Sequence, residues 1–144
     1  MSVNGIAFRI KTEDKDGNLT NVETVYFATF RKCPELAKYL KDSMKLETKA
    51  QVARRSYTLA VEAVNKASEE ELEAAAAKID KAKEDLQDAE DKMHKAFHGF
   101  IRKGLSAAGY GPEDVERFAS YIDVKMFPEI VQMAKIGAGR QDFF

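Results

Sequence analysis

At 144 residues, with 44% hydrophobic and 33% charged side chains, the chain has the length of one domain and is too apolar to be disordered. Its 23 basic and 24 acidic residues nearly cancel, which excludes a global positive field of the kind that holds nucleic acid or an anionic membrane. The first residues lack the apolar stretch of a secretory signal, and the single cysteine, Cys33, cannot form an internal disulfide. We expect a cytoplasmic protein that forms one domain over residues 1–144.

Residues 1–32 are predicted to form a β-hairpin. Ile6 to Thr12 alternates apolar with mostly polar residues, and Val22 to Phe30 is rich in β-branched and aromatic residues. A dense group of turn formers at 13–18 separates them. Because two strands alone are marginal in water, we expect Phe8 and Phe27 to contact the helices or another chain.

The same turn can be aligned with a twelve-residue calcium-binding loop. Asp14 and Asp16 fall at its third and fifth positions, and Gly17 falls at its sixth. Thr12 stands where that loop begins with Asp, and the flanks are strands rather than helices. A hairpin turn is therefore the interpretation that we favour.

A long helical hairpin is predicted over residues 33–107. Pro34 suits the first turn of a helix that continues to Lys66. Ser68 and Glu71 have the spacing of a capping box, which predicts a second helix from Glu69 to about Arg102, before Gly104 loosens the chain.

The second helix carries a heptad series of alternating large and small residues. Large residues recur every seven positions, with alanines three places later: Leu72, Ile79, Leu86, Met93 and Phe100, with Ala75, Ala82, Ala89 and Ala96. The first helix has a similar alanine-rich series from Ala50 to Val64. A connection this short predicts antiparallel packing as a two-helix coiled coil, with Tyr57 near Ile79.

Charge supports this pairing. Residues 31–66 contain nine basic and four acidic side chains, a net charge of +5, whereas residues 68–92 contain four basic and ten acidic ones, a net charge of −6. Each exposed ion pair contributes little, but the asymmetry opposes pairing either helix with a copy of itself.

Short helices are predicted over residues 108–138, starting at Pro112 and Pro128, followed by a tail at 139–144. The tail ends with Phe143 and Phe144. We predict that these rings dock on the C-terminal helices or on a neighbouring subunit, with a frayed tail as the alternative.

No catalytic residues are assigned, and no cofactor or metal is expected. His94 and His98 share one helix face, with Asp91 one turn earlier, and this spacing is the best metal candidate in the chain. However, Lys95 stands beside His94 where a hydrolytic zinc motif has Glu, so two polar residues beside the seam are the favoured interpretation. Cys33 near His98 is a second candidate pair, and a small buried residue is favoured there.

Long two-helix hairpins usually act as spacers or docking surfaces. We therefore hypothesise a non-enzymatic assembly or adaptor protein that acts through protein contacts, with itself as the expected partner in a homo-oligomer. The interaction residues are expected to be Phe143, Phe144, Phe8 and Phe27. The alternatives are a small partner-binding or inhibitory module and a metal-dependent enzyme using His94 and His98. We expect no membrane partner. Nucleic-acid binding is not expected either, since a short basic face around Lys49 and Arg55 is the one feature that favours it.

Overall fold

A computed structural model describes residues 3–137 and 140–143 of the chain. Its elements in chain order are strands β1 (Ile6–Thr12) and β2 (Asn21–Phe27), helices α1 (Glu35–Lys66), α2 (Leu72–Ala108) and α3 (Pro112–Ala119), a 3-10 turn (Val124–Met126), helix α4 (Phe127–Ile136) and strand β3 (Arg140–Phe143). The predicted fold class is confirmed: the chain is mainly helical, with an N-terminal β-hairpin, two long helices that pack together and short C-terminal helices.

The β-hairpin has the predicted first strand and turn, and its second strand ends at Phe27, three residues before the predicted end. β1 and β2 pair antiparallel, with Ile6 opposite Phe27. In the turn, the carboxylate of Asp14 accepts hydrogen bonds from the backbone N–H groups of Asp16 (2.8 Å) and Asn18 (3.0 Å). A hydrogen bond from the Thr20 hydroxyl and these N–H groups lower the pKa of Asp14. The carboxylate that the calcium alignment places at its third position thus closes the turn.

Strand β3 differs from the predicted tail. Residues 140–143 pair parallel with β1, and the sheet has the order β2-β1-β3. A two-stranded hairpin leaves one edge of β1 with free backbone donors and acceptors, and a short extended segment can satisfy them whatever its side chains. This pairing therefore needs no strand signal in the sequence Arg-Gln-Asp-Phe.

The two long helices have nearly the predicted limits, except at the end of α2. α1 ends at Lys66 as expected, and α2 begins at Leu72, three residues later than predicted. α2 then continues through Gly99 and Gly104 to Ala108, six residues beyond the predicted end. The helix ends at Gly109, whose φ of +117° favours glycine.

The glycine at position 104 has a packing reason that its sequence neighbours do not reveal. A Cβ built on Gly104 would lie at 2.5 Å or less from three ring atoms of Phe27, namely Cζ, Cε1 and Cε2. The carbonyl of Gly104 also accepts a hydrogen bond from the backbone N–H of Ala28 at 3.1 Å. Gly104 thus lets α2 lie directly against the end of β2.

The chain divides into two compact units. The sheet unit contains the described residues up to Leu40 and from Phe97 onward, and the helix-pair unit contains Lys41–Ala96. The core of the sheet unit lies between the sheet and the helices, where Phe27 packs on Phe100 with ring centroids 5.5 Å apart. The two units are described separately below.

The C-terminal helices follow the predicted proline and glycine signals. α3 begins at Pro112 and buries Val115 and Phe118, and α4 buries Ile130. Gly137 ends α4 with a φ of +78°, and its N–H donates to the carbonyl of Met133 at 2.8 Å.

None of the helices within residues 3–137 has a stretch that is long and apolar enough to cross a membrane.

Candidate protein-interaction surface

The helix-pair unit has very little core. Of its residues 41–96, Ser43, Ala50 and Ala75 are the buried ones. The larger residues of the predicted seam, such as Tyr57, Ile79 and Leu86, are only half-buried. Alanine lets two helix backbones approach closely but removes little apolar surface from water. The contact between the two helices therefore contributes modestly to the stability of this unit.

Contacts between the helices agree with antiparallel packing. Ser56 of α1 and Ala82 of α2 line one groove, close to the predicted neighbours Tyr57 and Ile79. Arg54 Nε of the basic helix lies 3.3 Å from Glu90 Oε1 of the acidic helix. This pair is half-exposed, so its contribution is small, on the order of a few tenths of a kcal/mol.

Outside the alanine-rich seam, α1 exposes three large apolar residues, and one of them, Leu59, also borders the groove that Ser56 and Ala82 line. Met44, Val52 and Leu59 are 57%, 62% and 57% exposed, although such residues bury readily when a surface is available. Their spacings of eight and seven residues place them on one side of a helix. We call this side the outer face of α1; its members are all exposed, namely Lys41, Met44, Thr48, Gln51, Val52, Arg55, Leu59 and Glu62.

The polar members of the outer face tolerate burial in a helix-helix contact. The hydroxyl of Thr48 donates to the carbonyl of Met44 at 3.1 Å, so its hydrogen bond is made within the helix. Gln51 carries both a donor and an acceptor, which lets it pair with a second amide. Arg55 has a long apolar stem.

The corresponding side of α2 is different in character. It lacks a large apolar residue and exposes a row of acidic side chains: Glu73, Asp80, Glu84, Asp88 and Asp91. Lys92 pairs with Asp88 at 3.1 Å along the same helix. Because all five side chains are exposed, this row is a solvated helix surface.

A groove in the sheet unit also has a charged lining. Its walls include Tyr39, Gly99, Ser106 and Tyr110, with Arg102 and Lys103 beside them. Both cations are already engaged: Arg102 Nε lies 2.8 Å from Glu116 Oε1, and Lys103 Nζ lies 2.9 Å from Glu35 Oε2. The Lys103 ammonium holds the pKa of Glu35 below its usual range. The groove therefore offers no uncompensated charge to an anionic ligand.

A further ion pair joins β2 to α3. The guanidinium of Arg117 donates through Nη1 and Nη2 to the two carboxylate oxygens of Glu23, at 3.1 and 2.5 Å. Thr12, which is fully buried, donates its hydroxyl to the same carboxylate. Arg117 and Thr12 together lower the pKa of Glu23.

Among the aromatic residues predicted as interaction sites, Phe8 and Phe27 belong to the core. Both are 0% exposed, and the expectation that the hairpin needs further contacts is met by the chain's own helix α2. Their burial leaves no surface for a partner, so assigning them to an interface is wrong. The prediction treated the hairpin strands alone, whereas the C-terminal third of the chain completes the core around them.

Phe143 packs on the sheet and the core beside it. It is half-buried in β3, and its ring lies edge-on to that of Phe8, with centroids 5.6 Å apart. Because β3 pairs with β1, Phe143 lies opposite Ile10, a contact that the sequence did not predict. Phe144 lies outside the described residues.

The candidate metal ligands lie on α2. Asp91 and His94 are exposed, and the ring of the half-buried His98 lies beside that of Phe97, with centroids 5.4 Å apart. Over the described ranges 3–137 and 140–143, no group of three or more His, Cys, Asp or Glu residues is arranged to hold a metal ion. Cys33 is buried in the core of the sheet unit, as a small apolar residue would be.

The outer face of α1 is the feature that the sequence analysis missed. The sequence contains a signal for this face, because Met44, Val52 and Leu59 form a second apolar series on α1 in addition to the alanine-rich series of the seam.

Comparison of the chain with protein-family models, with curated proteins and with solved structures gave no match. The outer face of α1 is therefore the feature that bears on function.

Proposed function

We propose that this chain is a cytoplasmic, non-enzymatic assembly or adaptor protein that acts through the helix-pair unit, as a homo-oligomer. The observation that carries the proposal is the contrast within residues 41–96. The seam buries mainly alanine, whereas Met44, Val52 and Leu59 are more than half exposed outside the seam. A helix that is apolar on two sides is typical of a bundle with more than two helices.

Energetics support a partner for this surface. Burying a large aliphatic side chain contributes roughly 1.5 to 3 kcal/mol, so covering three half-exposed ones contributes several kcal/mol before the cost of association. That is enough for a reversible complex when a second copy supplies the same three side chains. The small-module alternative would use the same surface for one other protein, and mass measurements separate the two.

The test of the proposal is mass as a function of concentration. Light scattering after size-exclusion chromatography should give more than one chain per particle at high concentration and less on dilution. Hydrogen exchange compared at the same concentrations should show added protection within residues 41–96. One chain per particle throughout would contradict self-assembly and favour the partner-binding module. An oligomer with added protection only in the sheet unit would contradict a role for the helix pair.

A further inference from the structure

The outer face of α1 has a sequence pattern that reads similarly in both directions. Its exposed positions form pairs around a midpoint between Gln51 and Val52: 44 with 59, 48 with 55, and 41 with 62. Apart from the adjacent Gln51 and Val52 at the midpoint, successive positions are three or four residues apart, as on one side of a continuous helix. A surface that is mirrored in this way suits a two-fold interface, in which the same patch of both copies meets itself.

We propose that the outer face of α1 binds the outer face of α1 in a second copy of this chain, antiparallel, with the two-fold axis between Gln51 and Val52. This inference rests on the proposed function and adds the surface, the orientation and the register. In this arrangement Met44 of one copy lies against Leu59 of the other, twice, and the two Val52 side chains meet at the centre. The three apolar residues of the outer face in one copy thus cover those in the other.

The net charge of residues 31–66 as a whole opposes self-pairing, but the outer face itself carries only Lys41, Arg55 and Glu62, and these charges select the antiparallel orientation. Lys41 of each copy lies against Glu62 of the other, so the interface gains two ion pairs of opposite charge. Arg55 lies against Thr48, whose hydroxyl already bonds within its own helix. A parallel pair in register would instead place Lys41, Arg55 and Glu62 each against its own copy, which repels at three levels of the interface.

The acidic side of α2 is a poorer occupant of this face. It carries no large apolar residue, so Met44, Val52 and Leu59 would face carboxylates such as those of Glu84 and Asp88. Packing aliphatic side chains onto carboxylates removes water from the charges without pairing them. A contact between two copies of that acidic side would repel, and the outer face of α1 is left as the self-complementary surface.

The size of the contact sets the expected affinity. From Lys41 to Glu62 the face is about 32 Å long at about 1.5 Å per residue. One helix-helix contact of this length, with three apolar residues from each copy, is at the small end of specific interfaces. The dimer is therefore expected to dissociate on dilution.

The first test is cysteine cross-linking in the full-length chain carrying Cys33→Ala, which removes the one native thiol. Under mild oxidation, Val52→Cys should form covalent dimers. A mixture of Met44→Cys and Leu59→Cys chains should cross-link to each other, while each alone should not. Asp88→Cys on the acidic side of α2 is the matched exposed control and should form no covalent dimer.

The second test exchanges the charges. Lys41→Glu or Glu62→Lys places like charges together twice and should weaken dimerisation by about fivefold to thirtyfold, as expected from two exposed pairs. The double variant should recover the original affinity. Lys49→Glu is the control for Lys41→Glu. It makes the same change in net charge at an exposed position of α1 beside this face, and it should have little effect on dimerisation.

The outcomes separate the two proposals. A dimer in which Val52→Cys fails to cross-link, or in which the charge exchange fails to restore affinity, overturns the α1 interface while the assembly function stands. Cross-linking of Met44→Cys with itself overturns the antiparallel orientation. A chain that remains monomeric at every concentration overturns both the interface and the assembly function.

Discussion

Replacing Gly104 with alanine tests how α2 packs on the sheet. The substitution would ordinarily stabilise a helix by about 1 kcal/mol, because alanine is the better helix former. At this position the new methyl group would overlap the ring of Phe27, with three ring atoms at 2.5 Å or less where about 3.5 to 4.0 Å is the favourable separation. The ring or the helix must therefore move by more than about 1 Å.

Neither movement is easy. Phe27 is 0% exposed and packs on Phe100, so its ring has no free space to enter. Moving α2 away would break the hydrogen bond from the Ala28 N–H to the Gly104 carbonyl, at 3.1 Å. Overpacking costs about 1 to 3 kcal/mol, and weakening this hydrogen bond adds about 1 kcal/mol. After the gain in helix propensity, a net loss of about 1 to 3 kcal/mol remains.

Gly99→Ala is the matched control on the same helix. Its Cβ would meet Tyr39 Cε1 at 3.5 Å, which is ordinary contact, so this change should stabilise by about 0.5 to 1 kcal/mol. The assay is urea unfolding followed by circular dichroism at 222 nm on both variants. Phe27→Leu added to Gly104→Ala should recover part of the loss, since it removes ring atoms from the overlap. If Gly104→Ala proves as stable as Gly99→Ala, the close approach of Phe27 to α2 is wrong.

Three other changes test contacts in the sheet unit. Tyr110→Phe removes the phenol that accepts the Tyr26 backbone N–H at 3.0 Å, so it should cost about 1 to 2 kcal/mol and speed exchange of that amide; unchanged exchange would refute the contact. Because Arg117 lowers the pKa of Glu23 in the folded state, this carboxylate stabilises the fold above its unfolded pKa, and the stabilisation is lost as pH falls through its folded pKa. Acid unfolding of Glu23→Gln should therefore show a weaker dependence on pH, and identical curves would count against the ion pair. Phe143→Ala should lower Tm by about 3 to 8 °C through lost packing of β3, and no change would mean that β3 adds nothing to the isolated protein.

The helices could be predicted because their signals are local and repeated. The heptad series from Leu72 to Phe100 fixes one side of α2, and the short connection after Lys66 forces the two helices to run antiparallel. Similarly, Pro112 and Gly137 mark ends of α3 and α4 that the structure confirms. Each of these predictions depends on residues within about two helical turns of one another.

The missed features depend on residues far apart in the sequence. The local sequence at Gly104 predicts a helix end, because the close contact with Phe27 cannot be read from neighbouring residues. The segment that forms β3 becomes a strand because β1 offers a free edge. The burial of Phe8 likewise depends on elements more than ninety residues later, including Phe143. Local propensity carries no information about such contacts.

The alanine-rich seam links the stability of the helix-pair unit to its assembly. Ala50 and Ala75 allow the helices to approach closely, but their burial removes too little apolar surface to hold two long helices firmly. The side chains that could add more burial, Met44, Val52 and Leu59, lie on the outer face of α1. A partner that covers this face binds the folded unit and not the unfolded chain, so it must raise the free energy of unfolding as protein concentration rises. Replacing Val52 with Gln should abolish that concentration dependence while leaving the stability of the dilute protein nearly unchanged, because this side chain is 62% exposed in the single chain.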